Sequence, residues 1–82
     1  MKPVRLTSHA AVAIAERDLE RAWIERTLRY PERVETDPSR PEVQRAFATL
    51  PERGGRTLRV AFVETDDEIR VLTAFLDRGR RL

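Results

Sequence analysis

Eighty-two residues, 40% hydrophobic and 37% charged, make one small domain with a modest core and a strongly ionic surface. The absence of cysteine and the presence of a single histidine exclude a disulfide framework, a thiol nucleophile and a cysteine-based or multi-histidine metal centre, and no cofactor or metal is expected. The net charge is only +2, fifteen of the sixteen cations are arginine, and the longest apolar run, "AAVAIA", is far too short for a membrane span.

With no signal-peptide core near "MKPVRLTS", the expectation is a cytoplasmic protein with no membrane association. "PVRL" is at most a short extended lead-in. Thr7 or Ser8 caps a first helix predicted over residues 9–16. Ala11, Val12, Ala13, Ile14 and Ala15 make that helix apolar nearly all round, which predicts that it is largely buried. Asp18 reads as a second N-cap. After it, Leu19, Ala22, Trp23, Ile24 and Leu28 fall on one side of a helix, and Glu20, Arg21, Glu25, Arg26 and Arg29 mostly on the other. Pro31 ends that helix at Tyr30, because it disfavours helical geometry in the preceding residue.

The period changes after Pro31. "RVETD" is a short candidate strand closed by "PSRP". "EVQRAFATL" alternates, with Val43, Arg45, Phe47 and Thr49 on one face and Ala46, Ala48 and Leu50 on the other. "PERGGR" is a loop with Gly54 and Gly55 at its tip. "TLRVAFVET" is the clearest strand, "DDE" a tight turn, and "IRVLTAFL" a fourth strand. The order α-α-β-β-β-β with short connections predicts an antiparallel sheet with one face covered by two helices, an α+β domain over residues 1–82. Trp23, Leu28, Val60, Phe62, Val71 and Phe75 are expected to form most of the core.

The chemistry on offer is one histidine and many arginines. "RGGR" is a glycine pair in a hairpin and not a phosphate cradle. Asp66, Asp67 and Glu68 belong to a solvated turn. The arginine excess fits phosphate recognition, because the guanidinium fork matches phosphate oxygens, and it fits better still the codon usage of a GC-rich genome. His9, at a helix start, suits proton transfer to or from a ribose hydroxyl, or it simply packs there. Arg17, in "AERDL", can reach a phosphate or pair with Glu16, Asp18 or Glu20. Arg45 and Arg59 project from otherwise apolar strands, toward solvent or into a cleft.

The arrangement "SHA…ER-D-L", a proline-terminated helix and the strands "LRVAFVE…IRVLTAF" resembles the RelE/ParE-like toxin superfamily. Within it the resemblance is closest to the uncharacterised BrnT-like domain-of-unknown-function branch, over about residues 6–76. The resemblance implies two N-terminal helices packed on a four-stranded twisted antiparallel sheet. It further implies a metal-independent endoribonuclease toxin acting on RNA, at the ribosome or free, and silenced by a cognate antitoxin protein. The positions matching the polar signature are His9 and Arg17, as catalytic residues. Arg45 and Arg59 join them as RNA- or phosphate-binding residues from their place on the sheet. The expected geometry is a shallow groove holding His9 and Arg17 and bordered by Arg45 or Arg59. The alternative is a non-catalytic module of the same fold that binds a protein partner or RNA. The even charge distribution favours the module, and the His9–Arg17 pairing favours the nuclease.

Overall fold

A computed structural model describes all residues, Met1–Leu82. The elements run β1 (Val4–Leu6), α1 (Ser8–Glu16), α2 (Arg21–Arg29), β2 (Arg33–Thr36), β3 (Gln44–Leu50), a 3₁₀ turn (Pro51–Arg53), β4 (Arg56–Glu64) and β5 (Ile69–Leu76). Helices precede an antiparallel block, as the change of period at Pro31 requires: β2, β3, β4 and β5 pair in succession, each antiparallel to the next.

The sheet nevertheless has five strands and is mixed, which corrects the expected four-stranded antiparallel sheet. The lead-in "VRL" is β1, and it lies parallel to β5, with Val4 opposite Ile69 and Leu6 opposite Val71. The Ile69 N–H donates to the Pro3 carbonyl at 2.8 Å and the Thr7 N–H to the Val71 carbonyl at 3.1 Å. Three residues are too few to display a period-two pattern, so this strand exists because β5 offers it an unpaired edge. The order across the sheet is β1-β5-β4-β3-β2.

Thr7 caps α1: its hydroxyl oxygen accepts the Ala10 N–H at 3.1 Å. At the other end Asp18 adopts φ +53°, the left-handed conformation. The Leu19 N–H reaches the Ile14 carbonyl at 3.0 Å and the Asp18 N–H reaches the Ala15 carbonyl at 3.2 Å, the bonding pattern of a Schellman closure. Asp18 therefore ends α1 and does not cap α2, contrary to the expectation; Glu20 stands at the α2 N-cap and makes no side-chain capping bond. Asparagine and aspartate tolerate this backbone region better than other side chains.

α1 buries only Ala10, Ala13 and Ile14, while Val12 is 57% exposed. One side of this short helix faces the sheet and the other stays in water, so an apolar composition did not mean burial all round. The main core joins Ala10, Ile14, Leu19 and Ile24 of the helical layer to Leu50, Leu58, Val60, Val71 and Ala74 of the sheet. A smaller group of Ala46, Phe62 and Ile69 continues it. Val60, Phe62 and Val71 are buried as expected, whereas Trp23 and Leu28 are half-buried at the margin. Phe75 is half-buried and pairs in register with Arg59, so it lies on the opposite face of the sheet. A bulge opposite Ala61 and Phe62 skips Leu72 and reverses the parity of β5, so that Val71 and Ile69 share the helix-facing side with Ala74 and Leu76.

Candidate functional site

On the face of the sheet away from the helices, the chain's own end covers the part around Phe47 and Thr57. Strand register sets Phe47 of β3 opposite Arg59 of β4, and Arg59 opposite Phe75 of β5. The segment after β5 then turns back over this row. The Asp77 N–H donates to the Thr57 carbonyl at 2.8 Å, and the Thr57 hydroxyl donates to the Arg80 carbonyl at 3.0 Å. The Arg80 guanidinium lies 4.0 Å over the Phe47 ring and forks onto Glu35 at 2.7 and 3.0 Å. Phe47 is completely buried as a result. Arg59 stacks between Phe47 and Phe75, at 5.9 and 5.1 Å from the ring centroids.

Every arginine of this face is matched by a carboxylate of the same chain. Arg59 donates to Asp77 at 3.4 Å, Arg45 to Asp37 at 2.8 Å, and Arg33 joins Arg80 on Glu35. Arg80, and then Arg33, hold the Glu35 carboxyl below its ordinary range. The Ser39 N–H, with Arg45 behind it, does the same for Asp37. Arg45 and Arg59, expected to hold phosphate, are thus each ion-paired within the chain, although the buried Nε of Arg59 has no hydrogen-bond partner.

The free positive charge lies elsewhere. Eight of the fifteen arginines take part in ion pairs, which leaves Arg17, Arg29, Arg40, Arg53, Arg56, Arg78 and Arg81 without a carboxylate. Five of these seven converge on one end of the molecule. Arg17 is the C-cap of α1, and it directs one guanidinium N–H at the Ala74 carbonyl, 3.5 Å away. Arg53, on the 3₁₀ turn, donates to the Asp18 carbonyl at 3.2 Å, which ties the β3–β4 hairpin tip to the join between the helices. Gly54 and Gly55 follow with φ +68° and +79°, a left-handed pair that side chains rarely adopt. That turn reverses the chain, so Arg53 and Arg56 flank the tip. Arg78 enters from the turn after β5.

Arg17, Arg53, Arg56 and Arg78, with Phe75 and Leu76, line a cavity of about 240 Å³ that no carboxylate side chain borders. A second cavity of about 560 Å³ shares Arg56, Leu76 and Arg78 and adds Arg80 and Arg81. Its single acidic side chain, Asp77, is already engaged by Arg59. Guanidinium groups stay protonated at any physiological pH and only donate. No histidine, cysteine or tyrosine lines either cavity. This end can attract and fix an oxyanion.

His9 is the second residue of α1, exposed, with no hydrogen-bonded or ionic partner, and it lines none of the three cavities. Arg17 follows eight residues later, about 12 Å along a helix axis. The expected pair therefore stands at opposite ends of α1 and shares no groove. Neither Arg45 nor Arg59 borders a cavity with either of them. Arg17 is the one expected residue that reaches the arginine end.

Arg53, Arg56 and Arg78 were not singled out from the sequence. Their signals lie in "PERGGR", a hairpin tip with an arginine on each side of its glycines, and in "RGRRL", where three arginines fall within four residues. No group of three or more histidine, cysteine or acidic side chains is positioned to hold a metal ion. No helix is long and apolar enough to cross a membrane.

The model of one protein family, described as a domain of unknown function (DUF4258), matches residues 6–76. Searches of the curated proteins and of the solved structures found no match.

Proposed function

Because the chain belongs to the DUF4258 family, whose function is unknown, we propose a function from its own geometry: it binds RNA through the arginine end and does not cleave it. One observation carries this reading. Five arginines without a carboxylate partner meet around two adjoining cavities, while the arginines of the sheet face are neutralised internally. In a chain of net charge +2, free cations scattered at random would not gather at one end. A phosphate backbone is the ligand that such a cluster attracts, and the apolar wall of Phe75 and Leu76 gives an unpaired base or sugar a surface to lie on. We read the fold as RelE/BrnT-like, supported by two helices on one face of the antiparallel block β2–β5. On that reading this chain is a non-catalytic member of the group.

A second reading, the metal-independent endoribonuclease toxin held by a cognate antitoxin, draws support from His9, an unpartnered imidazole in the first turn of a helix. The two readings separate in one set of assays. Fluorescence anisotropy with a labelled single-stranded RNA should show saturable binding that weakens with salt. A slope of about −0.7 per phosphate contact gives roughly −3.5 for five contacts. Replacing Arg53, Arg56 and Arg78 by alanine together should reduce that slope by about 2. The same RNA should stay intact with the purified chain, alone or with ribosomes. Binding untouched by the triple replacement, or none at low salt, overturns the proposal. RNA cut by the wild-type chain and spared by His9→Ala establishes the nuclease instead.

A further inference from the structure

We infer that the smaller cavity is a receptor for a terminal phosphate of RNA, a phosphomonoester at a chain end, in preference to an internal phosphodiester. This rests on the RNA-binding reading and narrows it.

Four guanidinium groups, from Arg17, Arg53, Arg56 and Arg78, border a space of about 240 Å³ without one carboxylate side chain. They come from three places in the chain: the end of α1, the β3–β4 hairpin tip, with Arg53 on the 3₁₀ turn and Arg56 opening β4, and the turn after β5. Two are fixed by backbone carbonyls, Arg17 on Ala74 and Arg53 on Asp18. Each such bond uses one of five N–H donors and leaves the others free for a ligand. Two of the four side chains are thus tied to the backbone before any ligand arrives, which lowers the ordering cost of binding, while Arg56 and Arg78 are exposed and free to close on it.

The charge and size of the space select the ligand. An internal phosphodiester brings one negative charge. A terminal phosphomonoester brings about −1.5 to −2 at neutral pH and three acceptor oxygens. Three oxygens can take several guanidinium forks at once, and a near-dianion offsets more of the mutual repulsion of four cations. The volume equals about eight water molecules at roughly 30 Å³ each, and it falls just below the range of about 300–1,000 Å³ typical of drug-sized ligands. A phosphate with its sugar matches that size. Phe75 and Leu76 then face the terminal nucleoside.

The test compares three fluorescent RNAs of one sequence: one with a 5′-phosphate, one with a 3′-phosphate, and one with hydroxyls at both ends. At fixed salt, one phosphorylated RNA should bind the full-length protein about tenfold more tightly than the hydroxyl-ended one, as charge-assisted contacts to the added group predict. Which one does so identifies the end that is read. The ratio should fall below about twofold in Arg17→Gln, Arg53→Gln and Arg78→Gln. A ratio cancels any general loss of backbone affinity, and circular dichroism confirms that each variant is folded. Adenosine monophosphate should compete with the preferred RNA where adenosine does not. Equal binding of all three RNAs overturns the end-receptor inference while leaving RNA binding standing. No binding of any of them overturns both.

Discussion

Replacing Phe47 by alanine tests whether the sheet face opposite the helices is a packed layer. Phe47 has no exposed surface, although no helix covers it; Arg80, Arg59 and the returning chain end do. A buried aromatic side chain removes about 150–250 Å² from water. At about 25 cal/mol per Å² this is worth roughly 4–6 kcal/mol. An unfolded chain that is already partly collapsed lowers the figure by about 10–40%. The expected loss is then about 2–5 kcal/mol, overlapping the range of other buried Phe→Ala changes. An 82-residue domain at about 0.05–0.15 kcal/mol per residue holds only about 4–12 kcal/mol in total. The assay is urea unfolding followed through Trp23, the sole tryptophan, which sits on α2 against the main core and so reports from the other layer. With a slope near 1 kcal/mol per molar urea, the midpoint should fall by about 2–5 M. If Phe47→Ala does not fold, Phe47→Leu should, with a loss of about 1–2 kcal/mol. Arg80→Ala should also destabilise, and the double variant should lose less than the two single losses together, because both act through one contact. A midpoint for Phe47→Ala within about 0.5 M of the wild type would refute the second layer.

Acid should weaken the fold through Glu52, whose carboxyl is lowered from 4.5 to about 2 by two hydrogen bonds from Arg26, at 2.7 and 2.8 Å. Its folded value lies below its unfolded one, so its contribution is complete above 4.5 and is lost as the pH falls toward 2. Glu35 and Glu68 are shifted in the same direction. The melting temperature should therefore hold above about pH 5 and decline below it, less steeply in Glu52→Gln; a rise on acidification would contradict the assignment. Thr7→Ala removes the N-cap of α1, whose hydroxyl oxygen accepts the Ala10 N–H. It should cost about 1 kcal/mol in chemical denaturation, with Thr7→Ser restoring most of it, and a loss below about 0.3 kcal/mol would show that the cap contributes little.

Several features were legible because they depend on neighbours in sequence. Thr7 as a cap, the stop at Pro31 and the alternation of "TLRVAFVE" and "IRVLTAFL" all act within a few residues, and the structure carries each of them. Asp18 was misread because a short acidic residue serves two purposes, capping the next helix or closing the last one in the left-handed region. Only the Leu19–Ile14 bond shows which of these it does. Phe75 was placed in the wrong layer because strict alternation puts it on the same face as Val71, whereas the bulge at Leu72 reverses the parity between them.

The sequence by itself determined the two helices, the four strands that pair by short connections, and the exclusion of thiol and multi-histidine metal chemistry. Tertiary structure alone decided that β1 exists, since its partner lies 65 residues along the chain, and that the segment after β5 folds back over Phe47 and Thr57. It also decided which arginines are free. An ion pair such as Arg80 with Glu35, 45 residues apart, neutralises a charge that composition counts as available. Arg17, Arg53, Arg56 and Arg78 meet only because a helix end, a hairpin tip and the turn after β5 fold to one place. Propensity and periodicity are short-range forces, whereas a binding site is made by contacts between segments that the chain itself keeps far apart.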